Sequence, residues 1–174
     1  NGTQGIGTGY STDIPTYNPK DIIENIKLYM EGKKMKEMKP SYKNFKGQIV
    51  EDVQGSGWIT KGVSVKEGTK KTIVKELPVG RWTEDYKEHL EKLVEKGIIK
   101  NYENHSTEEE VNFVIHEATG VCSTVLEKEL KLTSTIKTSN MWLFNEEGVI
   151  TKYKTPLEIL KDFCKVRLEY YKKR

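Results

Sequence analysis

The sequence predicts an α+β fold, in which a mainly antiparallel sheet carries packed helices. Three observations carry that prediction. Strand-like and helix-like stretches come in mixed order, without the strict alternation of a parallel, doubly wound sheet. The strand candidates are short and are separated by glycines, at Gly55, Gly57, Gly68 and Gly148. The helix candidates open on recognisable caps. With 174 residues and 20.1 kDa, the chain can bury a core without disulfide or metal support.

Taken in order, residues 1 to 13 read as a glycine-rich loop that begins Asn1-Gly2-Thr3-Gln4-Gly5-Ile6-Gly7-Thr8-Gly9. A helix follows, with Asn18 as cap, Pro19 at its first position and Gly32 past its end. Its buried face is predicted to carry Ile22, Ile23, Ile26 and Met30. Strands are predicted near Gln48 to Val53, Trp58 to Val65 and Lys71 to Leu77. Thr83 is read as the cap of a second helix, with Glu84 and Asp85 in its electropositive first turn. Tyr86, Leu90, Leu93 and Val94 form its apolar stripe, and Gly97 stops it. Ile98 to Tyr102 reads as a strand, and the alternation of Val111, Phe113 and Ile115 predicts another over 110 to 116. Residues 119 to 130 read as a short helix, and Lys131 to Asn140 as a polar edge strand or loop. Met141 to Phe144 and Val149 to Tyr153 make a hairpin around Gly148. Thr155 and Glu158 form a capping box around Pro156, after which Ile159, Phe163, Val166 and Tyr170 recur at helical spacing. That helix meets no glycine stop, and the first methionine is Met30, so a piece of something larger is expected.

Composition narrows the function classes. No apolar run approaches the ~20 residues of a membrane span. The formal net charge is +3, and only three of the 29 basic residues are arginine: Arg81, Arg167 and Arg174. Lysine neutralises phosphate as a point charge without the arginine fork, so a nucleic-acid partner would be gripped by its backbone more than read by its bases. A solvated lysine-rich surface is the plain alternative. Cys122 and Cys164 make no redox or zinc spacing, and His89, His105 and His116 make no ligand set. The run Glu108-Glu109-Glu110 reads as solvated, and no nucleophile elbow occurs. The glycine stretch fits neither the dinucleotide fingerprint, since Tyr10 stands where a third glycine is required, nor the phosphate loop of nucleotide hydrolases. It leaves one large apolar residue, Ile6, between Gly5 and Gly7. Two readings stay open: Ile6 plugs a core, or it is an apolar wedge that slips between base steps while slim backbone approaches a duplex.

Four signatures and the last helix carry a resemblance. Asn1 to Ser11, continuing through Ile14-Pro15-Thr16-Tyr17-Asn18-Pro19, is similar to the breakage-reunion region of eukaryotic-type DNA topoisomerase II. Pro40-Ser41-Tyr42-Lys43-Asn44-Phe45-Lys46-Gly47 resembles a second signature of that family. Glu76-Leu77-Pro78 with Trp82-Thr83, and Asn140-Met141 with Leu143-Phe144, add two more in the expected order. The last helix, with Leu168-Glu169-Tyr170-Tyr171, resembles the start of the family's coiled-coil arm.

The resemblance implies a DNA-gate loop at the end of the winged-helix region over 1–15, a tower domain over 16–154 and the start of the coiled-coil arm over 155–174. It implies part of an ATP-dependent enzyme of the nucleus that passes one duplex through a transient break in another. That enzyme is a homodimer needing Mg²⁺ and ATP, whereas this piece alone is expected to be monomeric and inactive, with no cofactor of its own. The nucleophilic tyrosine, the acidic metal cluster and the ATPase are expected elsewhere, so no catalytic residue is assigned. Double-stranded DNA is the implied partner. By resemblance Ile6 intercalates in the gate duplex, with Gly5, Gly7 and Thr8 beside it. The stretch Lys131, Leu132, Thr133, Ser134, Thr135, Ile136, Lys137, Thr138, Ser139 and Asn140 contacts DNA, and Lys43 and Lys46 touch backbone. Tyr10 stands where many relatives carry tryptophan, which implies local repacking. The alternative is a stand-alone nucleic-acid-binding or scaffold module whose terminal helix recruits a partner. A nucleotide-binding enzyme using the glycine loop is a third reading, and it predicts affinity for free nucleotide.

Overall fold

Local signals set most of the elements in this computed structural model, which describes residues 1–53, 55 and 57–174. The chain runs β1 (Thr3–Ile6), β2 (Ser11–Ile14), α1 (Pro19–Met30), β3 (Gln48–Glu51), β4 (Gly57–Lys61), β5 (Val63–Glu67) and β6 (Lys71–Glu76). It continues through α2 (Thr83–Glu95), β7 (Ile99–Asn104), β8 (Phe113–Glu117), α3 (Ser123–Glu129), β9 (Thr133–Lys137), β10 (Trp142–Phe144), β11 (Ile150–Lys152) and α4 (Pro156–Lys173). The α+β class with antiparallel pairing is as the sequence predicts. The chain folds as two units.

The first unit holds residues 1–43, 51–58 and 136–174. In α1 the Asn18 side chain accepts from the Lys20 N–H, and Pro19 occupies the first turn. Its far end closes on Gly32, at φ 69°, where the Gly32 and Lys33 N–H groups donate to the Tyr29 and Leu28 carbonyls. Helix α4 starts at the predicted cap, with Thr155 Oγ1 accepting from the Glu158 N–H at 3.3 Å, while the Glu158 carboxylate reaches back to accept from the Lys154 N–H at 2.8 Å. Tyr17, Met38, Leu160 and Cys164 form the core, with Ile22, Ile26 and Leu157 against it. Two predicted faces are corrected. On α1, Ile23 and Met30 are exposed, while Asn25 is buried because its Oδ1 accepts from the Lys36 N–H at 2.7 Å. On α4, Leu160 and Cys164 turn inward while Phe163 and Tyr170 stay in solvent.

The second unit holds residues 44–50 and 59–135. Its four-stranded sheet has the order β5-β6-β8-β7, antiparallel throughout. Tyr86, Leu90 and Leu93 of α2 meet Val74, Phe113 and Ile115 of the sheet and Leu126 of α3 in one buried cluster. The Tyr86 and Phe113 rings meet edge to face at 5.3 Å. Trp82, not Thr83, is the residue flanking α2, since the Tyr86 N–H already donates to the Trp82 carbonyl. The single strand predicted over 58 to 65 is two strands broken at Gly62, whose N–H donates to the Leu132 carbonyl. A Cβ at Gly62 would fall onto the Glu76 carbonyl oxygen. Gly62→Ala is therefore expected to cost about 1–3 kcal/mol of stability, read by chemical denaturation. Strands β3, β4 and β9 form a further sheet in that order.

Candidate nucleic-acid interface

Residues 1 to 13 are not a loop: β1 and β2 pair antiparallel, with Thr3 opposite Ile14, Gln4 opposite Asp13, Gly5 opposite Thr12 and Ile6 opposite Ser11. Thr3, Thr12 and Ile14 are β-branched and suit a strand, and the glycine content masks that preference. The Gly7 N–H donates to the Tyr10 carbonyl at 2.8 Å and closes the turn, with Gly9 at φ 84°. Side chains alternate faces along a strand. Gly5, Thr12 and Ile14 share one face, with Thr12 and Ile14 half-buried, and Ile6, Ser11 and Asp13 share the exposed other. Ile6 is 92% exposed, which excludes the core-plug reading.

The glycines beside Ile6 are not demanded by the chain itself. Neither Gly5 nor Gly7 has a positive φ. A Cβ would meet nothing closer than Thr12 Cγ2 at 3.8 Å from Gly5, or the Tyr10 carbonyl at 3.6 Å from Gly7. An exposed isoleucine thus stands between two slim residues that the fold does not require. Thr8 stands exposed at the tip beside it.

The hairpin is held along β2. The Asp13 N–H donates to the Asn140 carbonyl at 2.8 Å, and Asn140 Nδ2 donates to Ser11 Oγ at 3.0 Å. The Trp142 N–H donates to Thr12 Oγ1 at 3.1 Å. The Tyr10 and Trp142 rings meet edge to face at 5.5 Å, so Tyr10 is packed against an aromatic partner. Sequence reasoning missed these anchors because they join residues far apart in the chain.

Along 131 to 140 exposure alternates. Lys131, Thr133, Thr135, Lys137 and Ser139 are exposed, whereas Leu132, Ser134, Ile136, Thr138 and Asn140 are half-buried. In the second unit, Leu132 packs against the core and the Ser134 backbone carbonyl accepts from Thr60 Oγ1. Lys131 follows α3 at φ 48°, a left-handed conformation that glycine would take at less cost. In the first unit, Lys137 and Ser139 face solvent, as does Lys43. Lys46, in the second, is ion-paired to Glu110 at 2.9 Å, which holds the Glu110 carboxyl below its usual range. Glu108 and Glu109 line the same cleft.

Among the described residues no group of three or more histidine, cysteine, aspartate or glutamate side chains could hold a metal ion. The glycine stretch is a two-stranded hairpin, with no helix N-terminus at its turn to receive a phosphate. Burial pushes Tyr17 up to about 12 and raises Tyr42 and Tyr86. Tyr153 is also pushed up to about 12, by burial and then by its hydrogen bond to Asp162.

The family model for the A subunit of DNA gyrase/topoisomerase IV matches residues 1–174. The chain belongs to this family. It is 42% identical over 181 residues to DNA topoisomerase 2 of Plasmodium falciparum, covering 100% of this chain and 13% of that protein. It is 38% identical over 183 residues to DNA topoisomerase 2 of Pisum sativum, covering 99% of this chain and 12% of that protein. Among solved structures it is similar to the topoisomerase II DNA-binding, cleavage and re-ligation domain of Plasmodium falciparum. The TM-score is 0.93 at 43% identity, over 99% of this chain and 24% of that one. The topoisomerase resemblance read from the four signatures is borne out. No helix among the described residues is long and apolar enough to cross a membrane.

Proposed function

We propose that this chain is the DNA-gripping, DNA-bending tower segment of a type IIA DNA topoisomerase, with residues 1–15 as the gate loop, 16–154 as the tower and 155–174 as the root of the coiled-coil arm. The observation that carries the reading is Ile6, exposed at a hairpin tip between two glycines that its own fold does not need. In the proposed role Ile6 enters between base steps. Unstacking a step costs a few kcal/mol, offset by the protein surface that a bent duplex can touch.

Lys43, Lys131 and Lys137 supply point charges to phosphates, and Thr133, Thr135, Thr138 and Ser139 supply hydroxyl donors. Lys131 supports the reading, because a strained backbone position is held by a lysine where glycine would sit more easily. Lys46 is left to its pair with Glu110, in a cleft whose carboxylates repel phosphate. The whole enzyme, homodimeric and nuclear in this proposal, takes its Mg²⁺ and ATP at sites outside these residues.

Two results test the grip. Gly5→Ala and Gly7→Ala should leave folding stability unchanged or raised by up to about 1 kcal/mol, since each Cβ has room. Both should nevertheless weaken duplex binding in a fluorescence titration, and unchanged binding would remove close backbone approach. Secondly, duplex affinity should fall steeply with salt, and Lys137→Ala should flatten the log–log slope by about 1 for the phosphate contact it loses. A flat salt response in the parent chain contradicts backbone gripping.

A further inference from the structure

A hairpin of two short strands is marginal in water by itself. Strand β1 is exposed along its whole length, so little in its own packing fixes the direction in which Ile6 points. A wedge on a loose arm must be ordered as it enters DNA, which opposes insertion. The three contacts on β2 remove that freedom, and each lies opposite a β1 residue at or near the wedge. Ser11 is the cross-strand partner of Ile6, Thr12 of Gly5 and Asp13 of Gln4. Their partners are Asn140 through its side chain, the Trp142 N–H, and the Asn140 carbonyl. Asn140 and Trp142 follow directly on Lys137, Thr138 and Ser139, the residues proposed to hold the DNA backbone.

We infer that Asn140, acting through Ser11, and Trp142, acting through Thr12, are positioning residues that latch the β1–β2 hairpin and set where Ile6 enters the duplex relative to the phosphates held beside it. The latch rests on the wedge reading of Ile6 and adds to it the residues that aim the wedge. The Asn140 amide is then spent on the protein's own hairpin. It acts on DNA through Ile6, while Lys137 and Ser139 make direct contacts.

The test uses the intact topoisomerase carrying this segment and a gate duplex with 2-aminopurine beside the wedge step. Its fluorescence rises when the base unstacks. Ser11→Ala and Asn140→Ala each remove the same hydrogen bond, which shifts the docked hairpin about fivefold toward release. Each is expected to lower the 2-aminopurine signal to the same extent, and the double variant should be no worse than either single. Ser11→Thr, which keeps the hydroxyl, should restore the signal. Thr12→Val, which strips the acceptor from the Trp142 N–H, should lower the signal independently of Ser11. Any loss of thermal stability should be no larger than that of one hydrogen bond, and the salt slope of binding should not move in any of them.

A lower affinity and shallower salt slope in Asn140→Ala, with Ser11→Ala silent, would make Asn140 a direct DNA contact and overturn the latch. Silence of Ser11→Ala, Asn140→Ala and Thr12→Val, while Ile6→Ala abolishes the signal, would overturn the latch and leave the wedge standing. Silence of Ile6→Ala would overturn both.

Discussion

Ile6→Ala in the intact enzyme is expected to lower the bent fraction of gate DNA roughly ten- to a hundredfold, because in the proposed role it forfeits the transfer of an isoleucine side chain from water to a base stack. The side chain lies outside the protein core, so its removal leaves the fold within the usual range for surface substitutions, about 0.5 kcal/mol either way. The two effects therefore separate. Energy transfer between dyes at the ends of a gate duplex should report the straightened DNA, while the melting temperature stays put. DNA cleavage should fall with bending, and ATP hydrolysis without DNA should be unchanged. Bending equal to that of the parent protein would remove Ile6 from the mechanism.

The second large effect is on stability. Phe113→Ala is expected to destabilise the second unit by about 3–5 kcal/mol. Phe113 is fully buried on β8 and meets the Tyr86 ring edge to face at 5.3 Å, in the cluster that joins α2, α3 and the sheet. Truncating it leaves a cavity bounded by Leu90, Ile115 and their neighbours, and a core of this size collapses only partly around such a void. Denaturant unfolding followed by near-ultraviolet dichroism should show the loss. A change within 1 kcal/mol would mean that the cluster repacks freely, contrary to this description of the core.

What the sequence made legible is what is written locally. Asn18-Pro19 and Thr155-Pro156 announce their helices because capping satisfies backbone groups within one turn, and both caps are formed. Gly32 and Gly97 end helices for the same reason, at φ 69° and 71°. The inward face of α4 was not legible, since Ile159, Leu160, Phe163 and Cys164 offer overlapping apolar stripes. Only packing against Tyr17 and Met38 selects Leu160 and Cys164. Asn25 shows the same limit in polar form: its burial is made tolerable by the Lys36 N–H, on a connection the periodicity does not describe. At the candidate site, the sequence alone left Ile6 open between core and wedge. The register that pairs it with Ser11 and turns it outward exists only in the folded hairpin, as do the Asn140 and Trp142 contacts that hold it.

The most direct measurement is a structure of the intact cleavage core bound to its gate duplex. The Ile6 side chain should lie between two adjacent base pairs at a kink, with Gly5 and Gly7 against the groove wall and Lys137 beside a phosphate. An Ile6 side chain resting on protein, with the neighbouring base pairs still stacked, would contradict the account.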